Sequence, residues 1–285
     1  MTRKAFCPGH ITGFFTLTDS NKKPMNRTGS RGAGFSIGLG ATAEVNVGEK
    51  GWVIEVDGER TAFPTVEKTL YNIAHGGEVF ITTDIPFSQG FGMSGACALA
   101  SGMAALEDLG EDPSKALEHA HSSEVFCRTG LGDVVAQSLG GFETRIKEGL
   151  PPDGEIKKQK IEREVVIAVL GQPLITPDIL SDPLLSEWIK LFGNECMEEF
   201  LPENGFDKFL DLSLQFAEDT KFIKEQVGDA IDALRGTAKG SMAMIGNSAF
   251  FFGDTDEIIE ILEEQTDPDN IYLTSIDNEG ARIID

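Results

Sequence analysis

The first half of the chain switches repeatedly between strand-like and helix-like spacing of its apolar residues. RKAF (3–6) and GFFTLT (13–18) read as strands, with Pro8-Gly9-His10 as a turn between them. Residues 34–47 (GFSIGLGATAEVNV) are strand-like despite their glycines, and Gly48 to Gly51 joins them to WVIEV (52–56) as in a hairpin. Over 64–75 the apolar residues fall at 66, 70, 73 and 74, a helical stripe, and EVFITT (78–83) returns to strand. ACALASGMAALEDL (96–109) is apolar or small on nearly every side, which predicts a buried helix. Asp112 as N-cap and Pro113 at the first helical position open another.

A boundary is expected near EGLPPDGEIKKQK (148–160), which is charged and interrupted by Pro and Gly. Beyond it EVVIAVL (164–170) predicts a strand, two or three helices follow over roughly 182–235, and SAFFFG and IYLTSI are strands flanking a helix at 255–265. Strands and helices mix in both halves without a regular βαβα rhythm. The class is α+β in two lobes, residues 1–155 and 156–285.

Composition narrows the partners. The 285 residues, 40% hydrophobic, suffice for a well-buried core. No apolar run approaches a membrane span and the first residues lack a signal-peptide core, so the cytoplasm is the expected location. With 24 basic against 47 acidic residues the formal charge is −23, which argues against nucleic acid and anionic membrane as partners. An anionic substrate must therefore meet locally placed Arg, Lys, metal or backbone N–H groups. Cys7, Cys97, Cys127 and Cys196 are scattered and form no C-x-x-C pair, so neither a disulfide framework nor a zinc knuckle is indicated. His119 and His121, two apart on a helix, face differently and do not make a metal pair.

PFSQGFGMSGA (86–96) contains Gly90-x-Gly92-x-x-Gly95, the spacing of a dinucleotide-binding loop. That reading requires a strand running straight into the first glycine and an acidic residue ending a second strand about 20 residues on. Here the strand stops six residues early, and LGEDPSK occupies the second place. No Gly-Lys-Ser/Thr follows, so a Walker A loop fails as well. Three glycines still allow close approach to the backbone, and the loop opens into a helix whose free N–H groups favour anions. Ser94 puts a hydroxyl at that helix start. A tight turn with close helix packing accounts for the glycines alone equally well.

The same stretch resembles the Pro-x-x-x-Gly-Leu-Gly-Ser-Ser-Ala motif of the GHMP small-molecule kinases, leading Pro86 included; Met93 stands where the family usually has its first Ser. RTGLGDVVAQSLGG (128–141) is similar to the segment that carries the family's active-site Asp. GSMAMIGN (240–247) stands at the third motif without the usual glycine cluster. Within the superfamily, PGHITGFF (8–15), GSRGAGFSIGLG (29–40), LGQPLITPDIL (170–180) and the motifs above look like the archaeal branch that phosphorylates pantoate. The resemblance implies an N-terminal ATP-binding lobe, a ferredoxin-like C-terminal lobe, ATP and Mg²⁺ as cofactors, and a homodimer.

It also implies roles. Gly90, Gly92, Met93, Ser94, Gly95 and Ala96 would hold the triphosphate through backbone N–H groups. Ser94 and Glu124 supply the kind of oxygen ligands that Mg²⁺ takes, and Asp133 becomes the catalytic carboxylate. Pantoate has a carboxylate and two hydroxyls, so Arg145 on the strand-like FETRI is the candidate for a two-point grip. Ser30, His121 and Thr176 complete the expected substrate contacts. His10 reads equally well as structural. Mevalonate-, homoserine- or shikimate-type acceptors, and a non-catalytic ligand-binding module on the same scaffold, are the alternatives; the module would lack the Asp or the loop glycines.

Overall fold

The computed structural model describes residues 3–18, 24–174 and 182–284. Its first sheet is organised by two long strands, β1 (Arg3–Leu17) and β2 (Ser30–Val47), paired antiparallel along their length. Residues 5–16 of β1 are buried throughout, so the strand reads as nearly continuous apolar sequence rather than an alternation. β2 is long enough to take two further partners. Its C-terminal half pairs with β5 (Gly76–Thr83), and its N-terminal part with β6 (Phe142–Lys147), which carries β7 (Glu155–Gln159) on its outer edge. β3 (Gly51–Val56) and β4 (Glu59–Arg60) extend the sheet beyond β5, and β12 (Arg282–Ile284) returns from the C-terminus to pair with β1.

Two sequence expectations change here. Pro8-Gly9-His10 does not turn; β1 runs through it with a register shift between Pro8 and Gly9. The bulge accommodates a proline that cannot donate to the ladder, and the N–H of His10 goes instead to Phe91 O at 2.8 Å. The 34–47 and 52–56 strands do not form a hairpin either. β5 lies between them, parallel to β3, and Gly77 allows the close approach because a Cβ there would collide with Asn46 O. The intervening helix α1 (Pro64–Tyr71) makes the crossover that a parallel pair needs.

Helix α2 (Met93–Asp108) begins three residues before the predicted 96 and buries most of its length. It packs against β1 and β2 and against α3 (Ala116–Cys127), beside the short α4 (Asp133–Leu139). Asp112 accepts from Ser114 N just ahead of α3, as its capping role predicts.

The second sheet, β11-β8-β10-β9, is antiparallel and comprises β8 (Glu164–Val169), β9 (Lys239–Met242), β10 (Ser248–Phe252) and β11 (Ile271–Ser275). Numbered from β8 its order is 4-1-3-2, the ferredoxin-like arrangement. Between β8 and β9 come α5 (Pro183–Phe200), α6 (Phe206–Asp219) and α7 (Glu225–Ala233); α8 (Thr255–Leu262) links β10 to β11. The change from first to second sheet falls at 160–163, a few residues beyond the expected 155/156, because β7 is still paired with β6.

Phenylalanines join the two sheets. Phe35 of β2 and Phe142 of β6 meet Phe206 and Phe209 of α6, and Phe35 also meets Phe250 and Phe252 of β10, with ring centroids 5.0–6.4 Å apart and mostly edge to face. Such pairs add about 0.5–1.5 kcal/mol each beyond the area they bury. The cluster sits under the N-terminal part of β2 and fixes β6, with Glu143 and Arg145, against the edge of β2 opposite β1.

Candidate active site

A cavity of about 290 Å³ opens where the glycine loop, the 129–133 turn and the β9–β10 loop converge on β1 and β6. Gly90 (φ 81°) lets the first of these lie on the third, since a Cβ there would collide with the carbonyl of Ala243. Gly92 (φ 63°) is the N-cap of α2, and its carbonyl accepts from Gln137 Nε2 at 2.9 Å. The first N–H groups of α2 have no acceptor within the helix and carry its positive end. Gly90, Gly92, Met93 and Ser94 line the cavity. Ala96 does not: it is fully buried and its N–H is taken by Gly92 O. Gly95 serves packing, because a Cβ would sit 2.9 Å from Gln137 Oε1 and 3.1 Å from Glu124 Oε1.

That packing brings a carboxylate beneath the loop. Glu124 of α3 is 1% exposed and its Oε2 makes no hydrogen bond. Burial, and then the charge of Asp133, push its carboxyl well above the usual range. Gly130 lies against both acids: a Cβ there would run into Glu124 Oε1 and come within 2.7 Å of Asp133 Oδ2. Ser94 Oγ donates to Thr65 Oγ1 at 3.3 Å, at the opening of α1.

Asp133 is the first residue of α4, with a quarter of its side chain exposed to the cavity. Its Oδ1 accepts from His10 Nδ1 at 2.8 Å, while His10 Nε2 lies 3.0 Å from Glu143 Oε1. Only the imidazolium can donate from both nitrogens to two carboxylates. Burial opposes charge on His10, but Glu143 first and Asp133 next outweigh it and raise its pKa from 6.5 to about 9. For Asp133 burial likewise works against ionisation; the hydrogen bond and charge of His10, and then the charge of Arg145, hold it below the ordinary carboxylate range.

The raised pKa has a consequence for stability. His10 stabilises the fold fully below its unfolded pKa of 6.5, and this contribution is lost as pH rises through about 9. A shift from 6.5 to about 9 corresponds to on the order of 3 kcal/mol. Thermal melts should therefore show the parent losing stability from neutral to alkaline pH while His10→Gln lacks that slope. Parallel curves for the two proteins would show that the imidazole is not charged in the fold.

Arg145 of β6 is 4% exposed and reaches the cavity wall beside Ser30. Nη1 donates to Glu143 Oε1 at 2.5 Å and Nη2 to Thr12 Oγ1 at 3.2 Å, while Nε makes no hydrogen bond to the protein. Gly132 keeps the Asp133 turn close, since a Cβ would sit 3.0 Å from both Arg145 Nε and Ser30 Oγ. Ser30 and Arg145, both expected at the substrate, thus line the same cavity. His121 is not on the main cavity. Fully buried, it faces Met25 O and Thr28 O through Nε2 at 3.2 and 3.0 Å, and it borders a small neighbouring cavity with Ser30 and Arg145. Burial lowers its pKa, so the ring is neutral and holds the 25–28 stretch as a donor. Thr176 lies outside the described residues.

The sequence reading left out His10 and Glu143. A usable signal existed for Glu143, which stands two before Arg145 in a strand and so shares its face. Nothing local marked His10, because the partners that charge it are more than 120 residues away.

The glycine loop, the helix N-terminus it feeds, Glu124 and Asp133 all fall in the segment by which the chain is similar to small-molecule kinases of the GHMP class. Residues 60–141 match the family described as GHMP kinases N terminal domain. The chain is 32% identical over 274 residues to a protein named Pantoate kinase from Methanocaldococcus jannaschii, covering 94% of this chain and 99% of that one. A protein of the same name from Thermococcus kodakarensis is 30% identical over 264 residues, covering 88% and 87%. A solved structure described as "Phosphotransferase related to CoA biosynthesis pathway" superposes with a TM-score of 0.87 at 26% identity, over 100% of this chain and 99% of that one. The chain belongs to the pantoate kinase family.

Proposed function

We propose that the chain transfers the γ-phosphoryl group of ATP to a hydroxyl of pantoate, giving 4-phosphopantoate on the route to coenzyme A. The observation that carries the acceptor is Arg145, the one Lys or Arg among the described residues lining the cavity, with an unused Nε–H beside the Asp133 turn. In a chain of charge −23, an acidic substrate finds its counter-charge there. The names of the relatives and of the superposed phosphotransferase agree with that acceptor. We extend the reading to a homodimer, as the resemblance implies, and to the cytoplasm, as the apolar pattern of the sequence led us to expect. Among the described residues no helix is long and apolar enough to cross a membrane.

The α2 N-terminus and the glycine loop receive the phosphates. Phe63 and Phe87, edge to face at 5.5 Å, supply a flat apolar wall of the same cavity for the base. The residues also fit a divalent cation. Glu124 Oε2 is buried without a partner and Ser94 offers a hydroxyl. Among the described residues no cluster of three His, Cys, Asp or Glu side chains could hold a metal. An ion there would take its remaining ligands from phosphate and water, as Mg²⁺ commonly does. When bound, Mg²⁺ neutralises the charge that develops on the phosphates.

Arg145 holds the carboxylate end of the acceptor, which sets its hydroxyl towards Asp133. The depressed pKa makes Asp133 a weak base, so its work is to orient the hydroxyl and to take the proton late, as the new bond forms. His10 keeps the carboxylate ionised and fixed.

Glu124→Gln should raise the Mg²⁺ concentration for half-maximal rate by about tenfold or more, since one charged ligand is lost. An unchanged Mg²⁺ requirement would remove Glu124 from the cation site. An ADP-release assay across pantoate, mevalonate, homoserine and shikimate tests the acceptor; turnover is expected with pantoate, and preferential turnover of another compound would overturn the reading.

A further inference from the structure

Glu143 touches no part of the cavity, yet it is the hub of the buried charges around it. It is 1% exposed, and one oxygen, Oε1, accepts from both His10 Nε2 and Arg145 Nη1. The result is an unbroken chain, Arg145–Glu143–His10–Asp133, that joins the guanidinium and the carboxylate lining the cavity. Glu143 reaches His10 across β2, where Gly34 leaves room: a Cβ on Gly34 would sit 2.7 Å from His10 Nε2 and 3.0 Å from Glu143 Oε1.

We propose that Glu143 is a positioning residue that ties the substrate-holding guanidinium and the catalytic carboxylate into one unit, by holding His10 charged against Asp133 and Arg145 against the cavity wall. The proposal rests on the roles given above to Asp133 and Arg145 and adds the element that couples them. The charged groups facing His10 are Glu143 and Arg145 of β6 and Asp133 of α4, with Glu124 of α3 behind Asp133. With Glu124 neutral or cation-bound, Asp133 and Glu143 compensate His10 and Arg145 one for one. Removing the charge of Glu143 leaves two cations on one anion, and burial then expels the proton from His10, the only one of the cations that can lose it readily. A neutral His10 can still donate Nδ1–H to Asp133, but it no longer sets a positive charge against that carboxylate, whose pKa then rises. Both ends of the chain are disturbed together.

Glu143→Gln keeps the size and the hydrogen-bonding shape, so it isolates the charge. We expect kcat to fall about tenfold to a hundredfold, and the pantoate KM to rise as well, because Arg145 loses its anchor. The alkaline limb of the kcat–pH profile, expected near 9 in the parent, moves to lower pH. Glu143→Asp restores the charge and with it the alkaline limb. Nitrogen NMR of the four histidines gives a readout free of activity: His10 is doubly protonated at neutral pH in the parent and neutral in Glu143→Gln. A neutral His10 in the parent overturns the proposal without any variant. So does a folded Glu143→Gln with His10 still charged and an unshifted pH profile. The NMR result stands whatever the acceptor proves to be, so its failure is distinct from failure of the kinase reading.

Discussion

Asp133→Ala should lower kcat by about a thousandfold while nucleotide binding persists. The side chain is the only carboxylate among the described residues lining the cavity, and it is held there by His10 at 2.8 Å. The nucleotide is expected on other groups, the glycine loop and the α2 N-terminus, so titration with a fluorescent ATP analogue should give a Kd near that of the parent. Asp133→Asn is the stricter form, since it keeps the hydrogen-bonding outline and removes the base. It too should be nearly inactive, and it should leave His10 with one anion in place of two. Near-normal turnover in either variant would take Asp133 out of the mechanism. Loss of nucleotide binding alongside turnover would show instead that the residue supports the loop.

Arg145→Lys should raise the pantoate KM by about tenfold to a hundredfold with a smaller fall in kcat. The charge is kept, but a fork of donors becomes a single point. The guanidinium now spans Glu143 Oε1 and Thr12 Oγ1 and still has Nε to offer; one ammonium cannot reach all three. Removing the charge entirely, as in Arg145→Met, adds the cost of leaving buried Glu143 with only His10, so that variant should lose stability as well as affinity. Initial rates over a range of pantoate at saturating ATP separate the two parameters. An unchanged KM in Arg145→Lys would mean that the substrate carboxylate is held elsewhere.

Much of this fold could be read from local pattern. Helices at 64–71 and 93–108 answer to the stripes read at 64–75 and 96–109, three helices occupy the 182–235 stretch where two or three were expected, and strands at 76–83, 164–169 and 248–252 lie where the pattern placed strands. What failed was tertiary in origin. Pro8-Gly9 carries turn chemistry, and only the pairing of β1 with β2 on both sides of it forces the chain straight on. Gly48 to Gly51 does reverse the chain, but β5 then inserts between the two strands, which no short-range signal announces.

The site divides in the same way. Gly90, Gly92, Ser94 and Asp133 were legible because loop chemistry is written in consecutive residues, and the resemblance to GHMP kinases rests on the same stretches. Arg145 was found through its neighbourhood to Asp133. Glu143 carries no local mark of burial, because His10 of β1 and Gly34 of β2, which it lies against, are far from FETRI in the sequence. His121 was expected at the substrate, but its ring looks towards the main-chain carbonyls at 25 and 28 rather than into the main cavity.

The most direct test is phosphorus NMR of the protein incubated with ATP, Mg²⁺ and pantoate. A phosphate-ester resonance coupled to the C4 methylene protons of pantoate, growing in step with ADP, is the predicted result. ADP formed with inorganic phosphate and no ester, or an ester formed only on a different hydroxy compound, would contradict the account.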